Sequence, residues 1–422
     1  MLIGKKCHCH LGSITMPIDI DSEKNLQGIT ESVRTVRVLA IVPGVLNTIP
    51  AQRFRIEQWA PLLRALGVQL EFEPFMSPEL NSIVYKPGNY GRKAALVGEA
   101  IFRRAARLRH LKEFDLAYVQ RETALIGPAL FERWMNIEGV PYVFDFDDAI
   151  FLPNVSEANR LFGYLKFPGK TATACRLASH VMAGNDYLGE YARRFNRQVT
   201  VVPTTVDTAK YQPPRPRWES PKPRLVWTGS PTTVPYLESL AGALQRLRKR
   251  HDFTLRVVGA HRVSLPGLEV EMMPWQAETE AADLHGAWAG LMPAPDDVWA
   301  RGKCACKALQ YMAVEVPAVC SPVGMNAQLI RGGENGLLAS SEDEWVDKLS
   351  LLIRSEELRR RLGRAGRETV EAWYSAEAQA PRVYQIFKSV ARMPAAEYQS
   401  GGQPAAVRLQ HGAKAWKKTN WE

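Results

Sequence analysis

Short apolar runs recur along the chain, and each is followed by a segment with the longer spacing of a helix. VRVLAIVPG (36–44) is an apolar run ending in Pro43 and Gly44, which suits a strand buried on both faces and its turn. RIEQWAPLLRALG (55–67) reads as a helix with Gly67 as its C-terminal cap. VQLEFEPF (68–75), FDLAYVQ (114–120), VPYVFDFDD (140–148), SHVMAGN (179–185) and VTVVPTTVD (199–207) continue as strands. Between them lie a basic helical segment, 91–112, and the helix PALFERWMNIEG. Strands that alternate with helices predict a doubly wound α/β domain.

The pattern then breaks at YQPPRPRWESPKPR (211–224), which holds five prolines in 14 residues and reads as a stiff connector. It restarts with the strand RLVWTGS (224–230) and a helix carrying Leu237, Leu240, Leu244 and Leu247 on one face. TLRVVGA (254–260), GLEVEMM (267–273), AGLMPAP (289–295) and VPAVCSP (316–322) are further strands, and residues 303–313 form a helix before the last of them. The expected organisation is a disordered extension at 1–34, an N-terminal Rossmann-like domain at 35–207 and a Pro-rich linker at 208–223. A second Rossmann-like domain follows at 224–375, then a C-terminal helix at 376–392 returning to the first domain and a loose tail at 393–422. Ligands of such folds lie at the carboxyl ends of the strands, here facing a cleft.

A length of 422 residues suits two such domains, and 46% hydrophobic with 23% charged residues is ordinary globular composition. The net charge of +10 favours anionic partners without choosing among them. Six irregularly spaced cysteines do not form a disulfide framework. The N-terminal segment lacks a long apolar core and carries acids, and no run approaches the ~20 apolar residues that span a bilayer. A cytoplasmic location is expected. It extends to the inner face of a membrane if segment 91–112, with seven Lys or Arg and a stripe of Val97, Ile101, Ala105 and Leu108, lies on anionic lipid. The commoner reading of that segment is a packed helix with a solvated basic face. CHCH at 7–10 and the pair Cys304 and Cys306 lack the companion ligands of a zinc site. The run VRVLAIVPGVLNTIP has no G-x-G-x-x-G dinucleotide fingerprint.

The run KALQYMAVEVPAVCSPVGMNAQLIRGGENGLLA (307–339) resembles the C-terminal signature of retaining GT-B glycosyltransferases, family four in the sequence classification. Lys307, Gln310, Tyr311, Met312 and Ala313 match a subgroup pattern K-x-x-E/Q-Y-M-A. AQRFRIEQWAPLLRALG, DLAYVQRETALIGP, VPYVFDFDDAIFLP, HVMAGNDYLGEYA and WTGSPTTVPYL are similar to the same subgroup, so the likeness covers roughly residues 36 to 390. The resemblance implies an enzyme of class EC 2.4 that moves a sugar from a nucleotide-diphosphate donor to an acceptor hydroxyl, with retention, without a metal and without a cofactor beyond that co-substrate. Its implied setting is polysaccharide or lipid-linked glycan assembly, with an acceptor of that kind bound in the N-terminal domain, the donor in the C-terminal one, and no nucleic acid. A non-catalytic relative that binds nucleotide or a partner enzyme is the alternative.

Such a reaction leaves a diphosphate with growing negative charge, so without a metal the protein must supply cations and helix N-termini. A helix starting near Gly302 would place Lys303, Lys307 and Gln310 at i, i+4 and i+7 on one face, with Ala305, Leu309 and Met312 toward the core. Lys307 is assigned to the diphosphate, with Lys303 and Arg301 as helpers. Gly229, Ser230 and Thr232 are added because the family's Arg…Lys pair is missing after that strand. By resemblance, Gln310 takes the place of the acid that binds the ribose, with Gly259 and Trp275 beside the nucleotide. Gly302 stands where a glutamate usually holds the sugar, near Gly324, Met325 and Asn326, and Glu315 stands where a glycine is usual. Asp147 occupies a strand end that by resemblance faces the reacting sugar, and Asp147 with Asp145 is assigned to catalysis at the cleft. Asp145 and Asp147 also spell the D-x-D of metal-dependent GT-A enzymes, and a turn cap is the plain reading of these acids. Arg53 and Arg55 are expected at the cleft, and Arg55 equally suits a surface helix.

Overall fold

The computed structural model describes residues 35–152, 166–216 and 219–391. The expected extension at 1–34, its CHCH run and the tail at 393–422 lie outside them. Two six-stranded sheets, parallel throughout, form two lobes. In the first, β1 (Val36–Val42), β2 (Val68–Pro74), β3 (Leu116–Gln120), β4 (Tyr142–Phe146), β5 (His180–Ala183) and β6 (Val199–Val201) lie in the order β2-β1-β3-β4-β5-β6. In the second, β7 (Arg224–Thr228), β8 (Thr254–Val258), β9 (Val270–Met273), β10 (Ala289–Met292), β11 (Ala318–Cys320) and β12 (Leu337–Leu338) lie in the order β12-β11-β10-β7-β8-β9. This is the expected α/β class with two Rossmann-like sheets. Only β12, two residues long, is too short to read as a separate strand in the sequence.

The inner strands are legible because helices cover both faces of a parallel sheet, and every side chain of β3, β4 and β10 becomes core. Val38 through Val42 have no exposed surface, nor do Leu225, Val226 and Trp227 of β7. Leu237, Leu240, Leu244 and Leu247 are buried against the second sheet, as their spacing predicts. The chain order reverses beside β1 in the first sheet and between β7 and β10 in the second. These are the switch points whose loops form ligand crevices.

Helix Ala376–Ala391 packs Val383, Ile386, Phe387 and Val390 into the first lobe's core with Val38, Trp59 and Tyr118. The Phe387 ring meets Tyr118 edge-on at 5.8 Å. Helix Tyr90–Leu108 turns Leu96, Ala100 and Leu108 into the same lobe, with Val97, Ile101 and Ala105 packed beside them. Its cations are also drawn inward or paired. Arg104 is fully buried and donates to the carbonyls of Thr123 and Glu73, Arg103 donates to that of Phe75, and Arg107 pairs with Glu71. Arg92 and Lys112 pair with Glu79 and Glu138. The apolar stripe proposed for lipid is therefore the lobe's own packing face. Among the described residues, no helix is long and apolar enough to cross a membrane.

Candidate functional site

The second lobe's part of the site lies just past β7. Gly229 donates to the Val258 carbonyl at 3.0 Å. A Cβ there would sit 2.5 Å from the Trp227 ring, and one at Gly259 (φ +89°) 2.5 Å from the Gly229 carbonyl oxygen. Only glycine permits this approach of two strand ends. Ser230 and Thr232 share a hydroxyl contact of 2.8 Å, and Thr233 donates to the Ser230 carbonyl at 3.0 Å. Lys307 reaches this turn: its Nζ donates to Thr233 Oγ1 at 3.3 Å and lies 5.0 Å from the centre of the Trp227 ring. Burial, reinforced by the charge of Lys303, pushes the Lys307 ammonium down to about 7. Neither lysine forms an ion pair with any carboxylate among the described residues. A cation left without a carboxylate, facing hydroxyls and strand-end backbone, is a site complementary to an anion.

The expected continuous helix from Gly302 is not formed. A short helix, Val298–Arg301, is capped by Asp297, whose carboxylate accepts from Ala300 N at 2.7 Å. The chain then breaks at residues 302–305, where Ala305 takes φ +54°, and the helix proper is Cys306–Ala313. Lys303 therefore lies off the helix that carries Lys307 and Gln310. Its ammonium sits between the rings of Trp299 and Tyr236, at 5.7 and 6.0 Å. Arg301, half exposed, pairs with Asp296 at 2.8 Å.

The break serves lobe packing. The Asn185 amide donates to the carbonyls of Arg301 and Lys303 at 3.3 and 3.1 Å, and the Cys304 thiol donates to that of Asp147 at 3.2 Å. Cys304 belongs to the first lobe's apolar cluster. A Cβ on Gly302 would stand 2.7 Å from Ala149 Cβ, and one on Gly324 (φ +53°) 3.0 Å from the Arg301 backbone. The glutamate missing at 302 thus has no room, because the other lobe occupies its place. Gly302→Glu is expected to cost about 1–3 kcal/mol through overpacking. Thermal unfolding should show a lowered midpoint, with partial recovery when Ala149→Gly is added. An unchanged midpoint would mean that the contact is not tight. Met325 and Asn326 are buried rather than open to the cleft, and Asn326 holds the Ser321 carbonyl at 3.2 Å.

The first lobe's acids separate into two roles. Asp145 has no exposed surface. It forms a bidentate pair with Arg55, also fully buried, and accepts from Tyr118 OH at 2.6 Å. The expectation that Asp145 and Arg55 face the cleft is corrected, since both sit in the lobe's interior beneath it. Asp147, one step past β4, keeps 9% of its side chain exposed and accepts from Arg121 Nε at 2.7 Å. Burial raises its pKa, but Arg121 outweighs that and leaves the carboxyl lowered. Asp148 is more open, with 19% of its side chain exposed, and lies 3.7 Å from Arg121. Burial holds its carboxyl above the usual range despite Arg121 and Lys303.

Gln52 bridges Gly44 N and O at 3.1 and 3.0 Å and so fixes the turn after β1. The chain then makes a π-helical turn, Arg53–Glu57, which sends Arg53 away from the first lobe. Arg53 crosses to Glu280 in a bidentate pair, while its guanidinium lies 5.2 Å from the centre of the Trp275 ring. Glu280 also accepts from Lys210 at 2.7 Å and Trp275 Nε1 at 3.0 Å. Burial would raise its carboxyl, but these partners hold it lowered. Gln310 is buried and donates to Tyr211 OH at 2.6 Å. Glu280, Tyr211, Thr233, Trp227, Arg121 and Asn185 escape a reading of the sequence. Arg121 and Asn185 stand one and two residues past buried strands and carry that positional signal, Trp227 and Thr233 lie within the WTGSPTTVPYL run, and Glu280 and Tyr211 carry none.

Two parallel sheets whose switch points meet across a cleft define the GT-B fold. Residues 222–355, within the second lobe, match the family described as Glycosyl transferases group 1. Sequence comparison with curated proteins gives no match. The chain is similar in structure to sucrose-phosphate synthase from Thermosynechococcus elongatus, at 15% identity and a TM-score of 0.63, over 84% of this chain and 99% of that one. It is similar to Anabaena HepE in complex with UDP and glucose, at 14% identity and a TM-score of 0.60, over 84% and 100%. It is also similar to a glycosyltransferase from Rickettsia africae, at 13% identity and a TM-score of 0.59, over 85% and 100%. At these identities the likeness is one of fold.

Proposed function

We propose that the protein is a glycosyltransferase that moves a sugar from a nucleotide-diphosphate donor to an acceptor hydroxyl, with retention and without a bound metal or other cofactor. The observation that carries this reading is Lys307, an ammonium without a carboxylate partner, joined to the Gly229–Thr233 turn at the second sheet's switch point. It lies within the segment that matches the glycosyltransferase family. Structures of the same fold from Anabaena, in complex with UDP and glucose and with UDP-glucose, support a nucleotide sugar as the donor. In this reading Lys307 and the backbone of the turn receive the diphosphate. Lys303 adds charge, and Asp147, steadied by Arg121, meets the reacting sugar. Polysaccharide or lipid-linked glycan assembly is the proposed setting. Attachment to anionic lipid through 91–112 has little support from the geometry, since most of that helix's cations are paired.

The test is incubation with a panel of nucleotide sugars, following stabilisation by each and slow donor hydrolysis. Stabilisation by one donor with release of its nucleotide supports the reading. Gly302 and Gln310 favour a second reading, a nucleotide-binding relative that does no chemistry. One position is closed by Ala149 and the other is tied to Tyr211. Stabilisation without turnover, across donors and acceptors, selects it.

A further inference from the structure

Two arginines separated by one residue leave the same π-helical turn and meet different fates. Arg55 has one carboxylate partner, Asp145, and both are sealed within one lobe. Arg53 spans the cleft to Glu280, which has a second cation in Lys210 and a further donor in Trp275 Nε1. If Arg53 left, Glu280 would still be paired with Lys210, so the usual penalty of stranding a buried charge does not arise. Arg53 is thus a spare cation at the first sheet's switch point. Phe54, next to Arg53 in the chain, has its ring 6.2 Å from that of Tyr211, whose hydroxyl accepts from Gln310 on the helix that carries Lys307. The second lobe's turn WTGSPTT contains no Lys or Arg, so a diphosphate there depends on cations from elsewhere.

We propose that Arg53 is a two-position cation, held on Glu280 while the cleft is empty and transferred to the diphosphate of a bound nucleoside diphosphate, with Lys210 left to neutralise Glu280. This rests on the donor-site reading above and adds to it a cation from the opposite lobe. Exchange of one anionic partner for another makes the lobe-to-lobe link depend on whether a diphosphate is present. A planar guanidinium suits both partners, since it donates in bidentate fashion to a carboxylate or a phosphate.

The test is calorimetric titration of UDP and of uridine against the full chain and three variants. Arg53→Ala should weaken UDP by roughly tenfold or more, the size of a charge-assisted hydrogen bond, and leave uridine unchanged. Glu280→Gln should release Arg53 and tighten UDP severalfold. Should Glu280→Gln fail to fold, Lys210→Met supplies the opposite test: Glu280 then depends on Arg53 alone, and UDP should bind more weakly with uridine unchanged. Equal UDP affinity for Arg53→Ala and the parent overturns the proposal. So does equal weakening by Arg53→Ala and Glu280→Gln, which would mark the pair as a fixed interlobe clamp. If Lys210→Met must stand in, unchanged UDP affinity there overturns it as well. A parent chain that binds neither UDP nor other nucleoside diphosphates removes the glycosyltransferase reading and this proposal together. A parent that binds UDP while the variants disagree with the scheme removes this proposal alone.

Discussion

Lys307→Met should lower kcat/KM for sugar transfer by roughly 100-fold or more, with most of the loss in kcat. In the proposed donor site the ammonium would contribute one charge-assisted contact to the diphosphate, about 1.5–3 kcal/mol. Its share grows in the transition state as the leaving group gains charge, so the rate suffers more than binding. Steady-state kinetics with the donor found by the nucleotide-sugar panel measure both. Full donor affinity and full rate in Lys307→Met would refute the assignment.

The same residue predicts two pH effects of opposite sense. Folded, Lys307 titrates near 7, while its ordinary value is 10.5. Between those values the unfolded chain holds a proton that the folded chain has released. Its contribution therefore makes the ligand-free protein more stable as pH rises across that window. Lys307→Met lacks this rise, and denaturant melts at pH 6, 7.5 and 9 would show the difference in slope. Diphosphate binding needs the charged form, so UDP affinity of the parent should fall as pH climbs above about 7. A bound anion raises the ammonium's pKa and moves that fall upward.

These positions show why some of the site was legible in sequence and some was not. Strands such as β1 and β7 are apolar throughout because both faces are covered, and that requirement acts residue by residue along the chain. Gly229 and Gly259 were visible for a similar local reason, since each ends a strand where backbones approach. The spacing of Lys303 and Lys307 suggested one helix, but the contacts of Asn185 and Ala149 with residues 301–303 decide where the chain breaks. Those contacts join residues more than 100 positions apart, and no periodicity encodes them. Arg53 and Arg55 look equivalent in RFRIE, and the π-helical turn with its two acid partners tells them apart. Glu280 carries no local mark in QAETEAADL; its role comes from the cations that surround it.

Arg55→Met should be the most destabilising of these changes, at about 3–5 kcal/mol, because it leaves Asp145, fully buried, as a carboxylate without a cation. Tyr118 OH still donates to Asp145, and a single neutral hydrogen bond does not replace a bidentate cation. The Arg55 guanidinium also fixes the Val202 carbonyl and lies 5.1 Å from the centre of the Trp59 ring, so packing is lost with the charge. The double variant Arg55→Met with Asp145→Leu removes both charges and should recover most of the loss, since well-packed apolar groups are comparable in stability to a buried ion pair. Denaturant midpoints of the parent, the two single variants and the double measure this directly. A loss below about 1 kcal/mol for Arg55→Met would return Asp145 to the list of cleft acids, because only a solvated carboxylate tolerates the removal of its partner so cheaply. The UDP affinity of the folded double variant should match the parent. That result would separate the pair that builds the first lobe's floor from the cations that meet the diphosphate.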